Sequence, residues 1–208
     1  MMFVAGFTGA FSEATDAQEN WEYQVAAFPS GLENITTWAE ENTTAFELTL
    51  VAQASITGTT KAIDLKGNDV LSEQDDALHR LNLLDGNLPQ VGQSPVEGIL
   101  DEGSAALEGY SLGDTISIEF EGEEHSIKIV GIARELSRSI YMHRADVEPI
   151  VGLEANGALL ITKDGVDIED IRFSTVSIVE KETMVATLEE LIEQQKAQNR
   201  IENVEGVL

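Results

Sequence analysis

Between Phe46 and Ile56 the chain alternates for eleven residues. Phe46, Leu48, Leu50, Ala52, Ala54 and Ile56 stand against Glu47, Thr49, Val51, Gln53 and Ser55. A period of two over this length is a β-strand with one face on a core and the other mostly wet. Around it the chain reads as short strands mixed with short helices. Trp21–Phe28 is a first strand ended by Pro29, and Ser30 with Glu33 resembles a capping box for a helix over 31–41. Gly58 turns the chain into a return strand over 59–65, Gly67-Asn68-Asp69 forms a turn, and Ser72 caps a short helix over 73–80.

Residues 81–89 read as a loop or edge segment, because Pro89 cannot sit in a central strand. Strands follow at 96–100, 115–120 and 125–133, with a helix over 101–110 and a hairpin tip at 121–124. Residues 134–156 are less regular, with a short helix between Asp146 and Leu153. A strand at 158–163, a helical turn at 167–170 and a β-rich run at 172–179 come next. The longest helix is expected over 181–198, on a stripe of Met184, Val185, Leu188, Leu191 and Ile192. Hairpins mixed with strand–helix–strand units define an α+β fold, not a doubly wound parallel sheet. The irregular stretches near 65–90 and 145–157 divide it into two lobes with a mixed or largely antiparallel sheet.

Charge narrows the partners. Asp and Glu number 38 against 12 Lys and Arg, a net charge of −26. Such a chain repels phosphate backbones and anionic headgroups, which excludes nucleic acid as a natural partner. There is no cysteine, hence no disulfide, thiolate metal site or cysteine nucleophile. No stretch approaches 18 apolar residues. Met1–Phe11 is apolar apart from Thr8 and its glycines, and no basic residue precedes it as a signal peptide would require. It reads either as a helix docked on the domain or as the last turns of a membrane helix.

Motifs for chemistry are missing. His79, His125 and His143 match no zinc spacing. The acidic pairs, among them Glu40-Glu41, Asp75-Asp76, Asp101-Glu102, Glu123-Glu124 and Glu189-Glu190, are what so acidic a chain shows by chance. Asp164, Asp167 and Asp170 do not make an EF-hand loop. Ser94, Ser104 and Ser111 stand in turn-like segments without GxSxG, and neither GxGxxG nor a P-loop occurs. We therefore expect no catalytic, cofactor-binding or metal residue, no cofactor and no enzyme activity. Trp21, Tyr23, Phe28 and Trp38 read first as core and second as a contact surface.

Residues 86–136 carry a more specific pattern. Gly86-Asn87-Leu88-Pro89 leads to the strand Val96–Leu100, the helix 101–109, the turn Leu112-Gly113-Asp114, a hairpin, and Ile129-Val130-Gly131-Ile132. This order resembles the extracytoplasmic domain of ABC-transporter permeases of the MacB/FtsX type. Asn87 stands where that family usually has arginine. The resemblance implies a fold like the MacB periplasmic core domain. Residues 1–20 would then be an N-terminal helix ending a membrane helix, and 21–208 the extracytoplasmic domain, with a hairpin-rich second lobe at about 86–145. It also implies a cell-membrane location with this domain outside. A cytoplasmic ATP-binding subunit would work through the full-length permease. A second permease copy or an extracytoplasmic protein is a further partner. The domain would be non-catalytic, contacting substrate or partner proteins and coupling to ATP-driven motion of the membrane helices. The alternatives are a free-standing secreted or surface binding module and a carboxylate-based hydrolase.

Overall fold

The computed structural model describes residues 19–27, 29–135 and 138–181. The readings of Met1–Phe11, of residues 12–18, and of the helix and tail beyond Lys181 lie outside them, as does Phe28. Among the described residues, ten strands form one sheet with three α-helices packed on it. In chain order they are β1 (Tyr23–Ala27), α1 (Pro29–Asn42), β2 (Thr43–Ile56), β3 (Ala62–Asn68), β4 (Leu83–Gly86) and β5 (Val96–Asp101). Then come α2 (Glu102–Glu108), β6 (Thr115–Phe120), β7 (Glu123–Ala133), β8 (Ser139–His143), α3 (Arg144–Val151) and β9 (Gly157–Thr162). A 3-10 helix (Ile168–Ser174) and β10 (Thr175–Glu180) close the described chain. The fold is α+β with a mixed sheet, as the alternation of hairpins and short helices implies.

The long alternating strand organises the rest. The first half of β2 pairs antiparallel with β9, and its second half pairs antiparallel with β3. Its end, Ser55 and Ile56, pairs with β6. The pairings then run in a circuit, β2–β3–β8–β5–β7–β6 and back to β2. Two of these pairs, β3 with β8 and β5 with β7, are parallel. The ring encloses Leu50, Ile63, Leu65, Leu100, Ile118 and Ile140, each at most 1% exposed. The other half of β2 joins β9, β1 and β10 in an antiparallel sheet. There Phe46 and Leu48 pack with Ile35 and Ala39 of α1 and with Ile171 of the 3-10 helix. A single apolar face of β2 thus serves two cores, which is why its alternation runs so long.

The opposite face of β2 is only partly wet. Val51 and Gln53 are exposed, but Glu47 and Thr49 are buried. Residues 69–81 cover that side, placing Leu78 against Trp21 and Leu159, and Leu71 and Leu81 against Ile99 and Tyr141.

Three local expectations fail. No helix forms over 73–80, although the Gln74 N–H does donate to Ser72 Oγ at 3.0 Å as a cap would. The segment is held by outside partners instead: its Asp75 and Ala77 carbonyls accept from Asn20 Nδ2. Gly67 and Asn68 are not a turn but the end of β3, paired with Met142 and His143 of β8. A Cβ at Gly67 would lie 3.0 Å from Arg144 Cα, so the missing side chain lets α3 approach. Strand β8 was not anticipated at all. Four of its five residues are buried, Ile140 and Met142 in the ring and Tyr141 on the other side. Cover on both faces erases the period of two.

Gly86 and Gly131 sit opposite each other on β4 and β7. A Cβ at Gly131 would lie 2.9 Å from the Asn87 carbonyl oxygen and 3.0 Å from Ile99 Cγ1. The close approach expected of Gly131 is therefore present, and it is backbone that crowds it. Gly131→Val should cost about 3 kcal/mol, at the upper end for overpacking because the carbonyl cannot rotate away as a side chain would. Urea unfolding would read this as a lower midpoint.

Candidate functional site

The site starts at the first described residues. Glu19 forms a single β-bridge with His79, and the Asn20 N–H donates to the Leu78 carbonyl at 2.9 Å. The Glu22 N–H donates to Leu160 O at 2.8 Å, and the Lys181 N–H donates to Glu22 O at 3.0 Å. Tyr23 stands opposite Glu180 in the β1–β10 pair. The start and the end of the described chain therefore lie side by side, on one strand pair.

Under residues 19–22, here called the strap, lies a buried polar cluster. The Trp21 Nε1–H donates to Glu19. The Glu19 carboxylate oxygens are both 3.0 Å from His79 Nδ1. The imidazole stacks on Tyr141, centroids 5.1 Å apart and planes 7° apart. Tyr141 OH donates to Glu135 Oε2 at 3.0 Å and receives Lys66 Nζ at 3.0 Å. Glu135 Oε2 lies 3.9 Å from His79 Nε2. Neither His79 Nε2 nor Glu135 Oε1 has a hydrogen-bond partner. Nearby, the Val70 N–H donates to Glu47 Oε1 at 2.9 Å. A cavity of about 190 Å³ opens beside the cluster, lined by Trp21, Gln24, Thr49, Lys66, His79 and Tyr141.

Opposing forces set the ionisation. Burial is the largest influence on His79 and pulls its pKa down, but the Glu19 hydrogen bond and charge, aided by Glu135, carry it above the ordinary value. Burial would raise Glu19, yet His79 and the Trp21 N–H hold it below the usual carboxylate range. Burial pushes Glu135 up, only partly offset by His79, and it raises Glu47 too. Tyr141 is raised well above its usual value by burial and by the Glu135 charge. The cluster holds charges against one another. No group of three or more ligating side chains that could hold a metal occurs among the described residues.

The residues marked in the sequence fall apart in space. Of the three histidines only His79 joins the cluster. His125 lies on β7 with a buried, unpartnered Nε2. His143 precedes α3, with its Nε2 3.1 Å from the Pro89 carbonyl. Asp101 caps α2, its Oδ1 accepting from the Ser104 N–H at 2.7 Å. The Ser111 N–H donates to Asp114 Oδ2 at 2.8 Å, a turn contact. Asp167 accepts from the Glu169 N–H in the turn before the 3-10 helix. Trp21 is core at 2% exposure, while Tyr23 and Trp38 pack at the edge of the α1 core. Glu135 and Tyr141 were missed. Their only signal is a charged or phenolic group in or beside an apolar run, which periodicity does not rank.

The fold is similar to those of two solved periplasmic or extracellular regions. The periplasmic region of MacB from Actinobacillus actinomycetemcomitans superposes with a TM-score of 0.54 at 15% identity, covering 85% of this chain and 96% of that one. The extracellular domain of the noncanonic ABC-type transporter YknZ from Gram-positive bacteria superposes with a TM-score of 0.50 at 14% identity, covering 73% and 87%. No family model and no curated protein matches the chain. At the level of fold, the resemblance carried by residues 86–136 is met. No described helix is long and apolar enough to cross a membrane.

Proposed function

We propose that the chain is the extracytoplasmic domain of an ABC-transporter permease, non-catalytic, coupled to ATP-driven motion of membrane helices. The observation that carries this reading is the likeness to 96% of the MacB periplasmic region. The side-by-side positions of Glu22 and Lys181 support it, because a domain inserted between membrane helices must receive and return the chain at one end. In this reading residues 1–20 lead from a membrane helix and 21–208 form the external domain. A cytoplasmic ATP-binding subunit acts through the full-length permease, and a second permease copy or an extracytoplasmic protein is a further partner.

These 208 residues hold no cysteine, so a thiol introduced here is read against the labelling of the unsubstituted gene product. Leu107 on α2 is 74% exposed and suits the purpose. Leu107→Cys in the full-length gene product, expressed in its own cells, should react with a membrane-impermeant maleimide and sediment with membranes. A thiol protected until lysis overturns the reading. Labelled protein released without detergent favours a free-standing surface module instead.

A further inference from the structure

We propose that the His79 cluster is an acid-tightened latch: it holds the strap on the domain while His79 is protonated and loosens it when the proton leaves. The inference concerns the domain itself and does not depend on the permease reading.

The argument rests first on geometry. The strap is tied down by backbone bonds at Asn20 and Glu22, by the Asn20 side chain on the Asp75 and Ala77 carbonyls, by the Thr162 N–H and hydroxyl donating to Glu22, by the Trp21 ring, and by the Glu19–His79 contact. Only the last of these is ionisable at both ends. The groups facing His79 come from every element around it. The strap supplies Glu19, β3 supplies Lys66, β8 supplies Tyr141, and the residues after β7 supply Glu135. Glu47 of β2 lies farther off, at a distance where its charge and that of His79 still interact. On its own segment, Arg80 pairs with Asp75 at 2.7 Å at the surface, and the Asp75 side chain is 89% exposed.

Charge then decides the direction. With His79 protonated, two cations, His79 and Lys66, meet two carboxylates, Glu19 and Glu135. Without that proton the part-buried Glu19 and the buried Glu135 carboxylate face Lys66 alone among these groups, and Glu19 loses its charged partner. Unbalanced charge in a low-dielectric site is costly. The strap is the side that gives way, because it is a single segment, whereas Lys66 and Tyr141 stand on strands locked into the ring. His79 is raised, so its contribution is complete below its ordinary value of 6.5 and is lost as pH rises through the folded value. Glu19 is lowered, so its contribution is complete above its ordinary value of 4.5 and is lost as pH falls through the folded value. The latch is tightest between these limits. Glu135, raised by burial, adds to the loosening at higher pH.

The test is amide hydrogen exchange of the 208-residue chain by NMR, corrected for intrinsic rates, read at the Asn20 and Glu22 N–H groups. The ring amide of Ile129, which donates to Asp114 O at 2.8 Å, serves as the control. From about pH 6 to about pH 9 the strap protection should fall at least about tenfold, with the control unchanged, and the midpoint should match the His79 ring titration. Flat strap protection overturns the proposal. So does an equal fall at Ile129, since the effect is then global. His79→Gln should give weak protection that no longer varies across this range, and a profile like the parent's overturns the proposal. Should that variant not fold, Glu135→Gln decides. It removes one of the charges that raise His79, so the midpoint must move to lower pH, and an unmoved midpoint overturns the latch.

Discussion

Trp21→Ala should destabilise the domain by about 3–5 kcal/mol, the range for deleting a buried indole. The ring is 2% exposed and fills the space between Leu78 and Leu159, with Ala45 and Ile161 at its edge. Little around it can collapse, because Leu159, Ala45 and Ile161 are held in paired strands. The loss also removes the N–H that Glu19 accepts. Against a typical stability of about 5–15 kcal/mol this is about a fifth or more of the whole. Trp38 remains as a fluorescent reporter in the α1 core. In urea its transition should move to lower concentration with an unchanged slope. A reduced slope would mean that the strap and the α1 sheet unfold apart from the ring, which would contradict the shared strand β2 as a cooperative link.

Asp101→Ala should cost about 2–4 kcal/mol, from the lost helix cap together with an unsatisfied buried N–H. Asp101 is 3% exposed and its two oxygens serve two elements. Oδ1 caps α2 through the Ser104 N–H, and Oδ2 accepts from the Ser139 N–H at 3.0 Å, where β8 begins. One side chain therefore sets both the start of α2 and the position of the strand linking β3 to β5. Asp101→Asn keeps the volume and one acceptor oxygen, but sets an NH₂ against a second donor. It should cost about half as much. Equal losses for the two variants in thermal or urea unfolding would show that the one acceptor oxygen Asn keeps contributes nothing.

Asp101 also shows how far local reading reaches. The sequence shows a short helix over 101–110 with Asp101 in its first turn; the structure starts the helix at Glu102 and makes Asp101 its cap. The tie to Ser139, 38 residues away, is not visible in the sequence. The same division runs through the site. Trp21 was legible as a core aromatic. His79 was visible only as a histidine with no matching spacing, and Glu135 and Tyr141 gave no signal. Their meeting depends on how β3, β8 and the strap come together, which no spacing along the chain encodes.

The sequence by itself determined the α+β class, the long β2, the helices α1, α2 and α3, the β6–β7 hairpin and the unlikeness to a nucleic-acid binder. These follow from periodicity, caps, turns and net charge, all of which act over a few residues or over the whole composition. Only the tertiary structure decided the closed circuit of six strands, the parallel pairings of β3 with β8 and β5 with β7, the irregular course of 73–80, and the buried charges of the latch. These rest on contacts between distant segments. Cover on both faces hid β8, and hydrogen bonds from Asn20 outweighed the weak helical signal of 73–80. Local preference amounts to tenths of a kcal/mol per residue, whereas each buried side chain or satisfied buried polar group contributes about one or more.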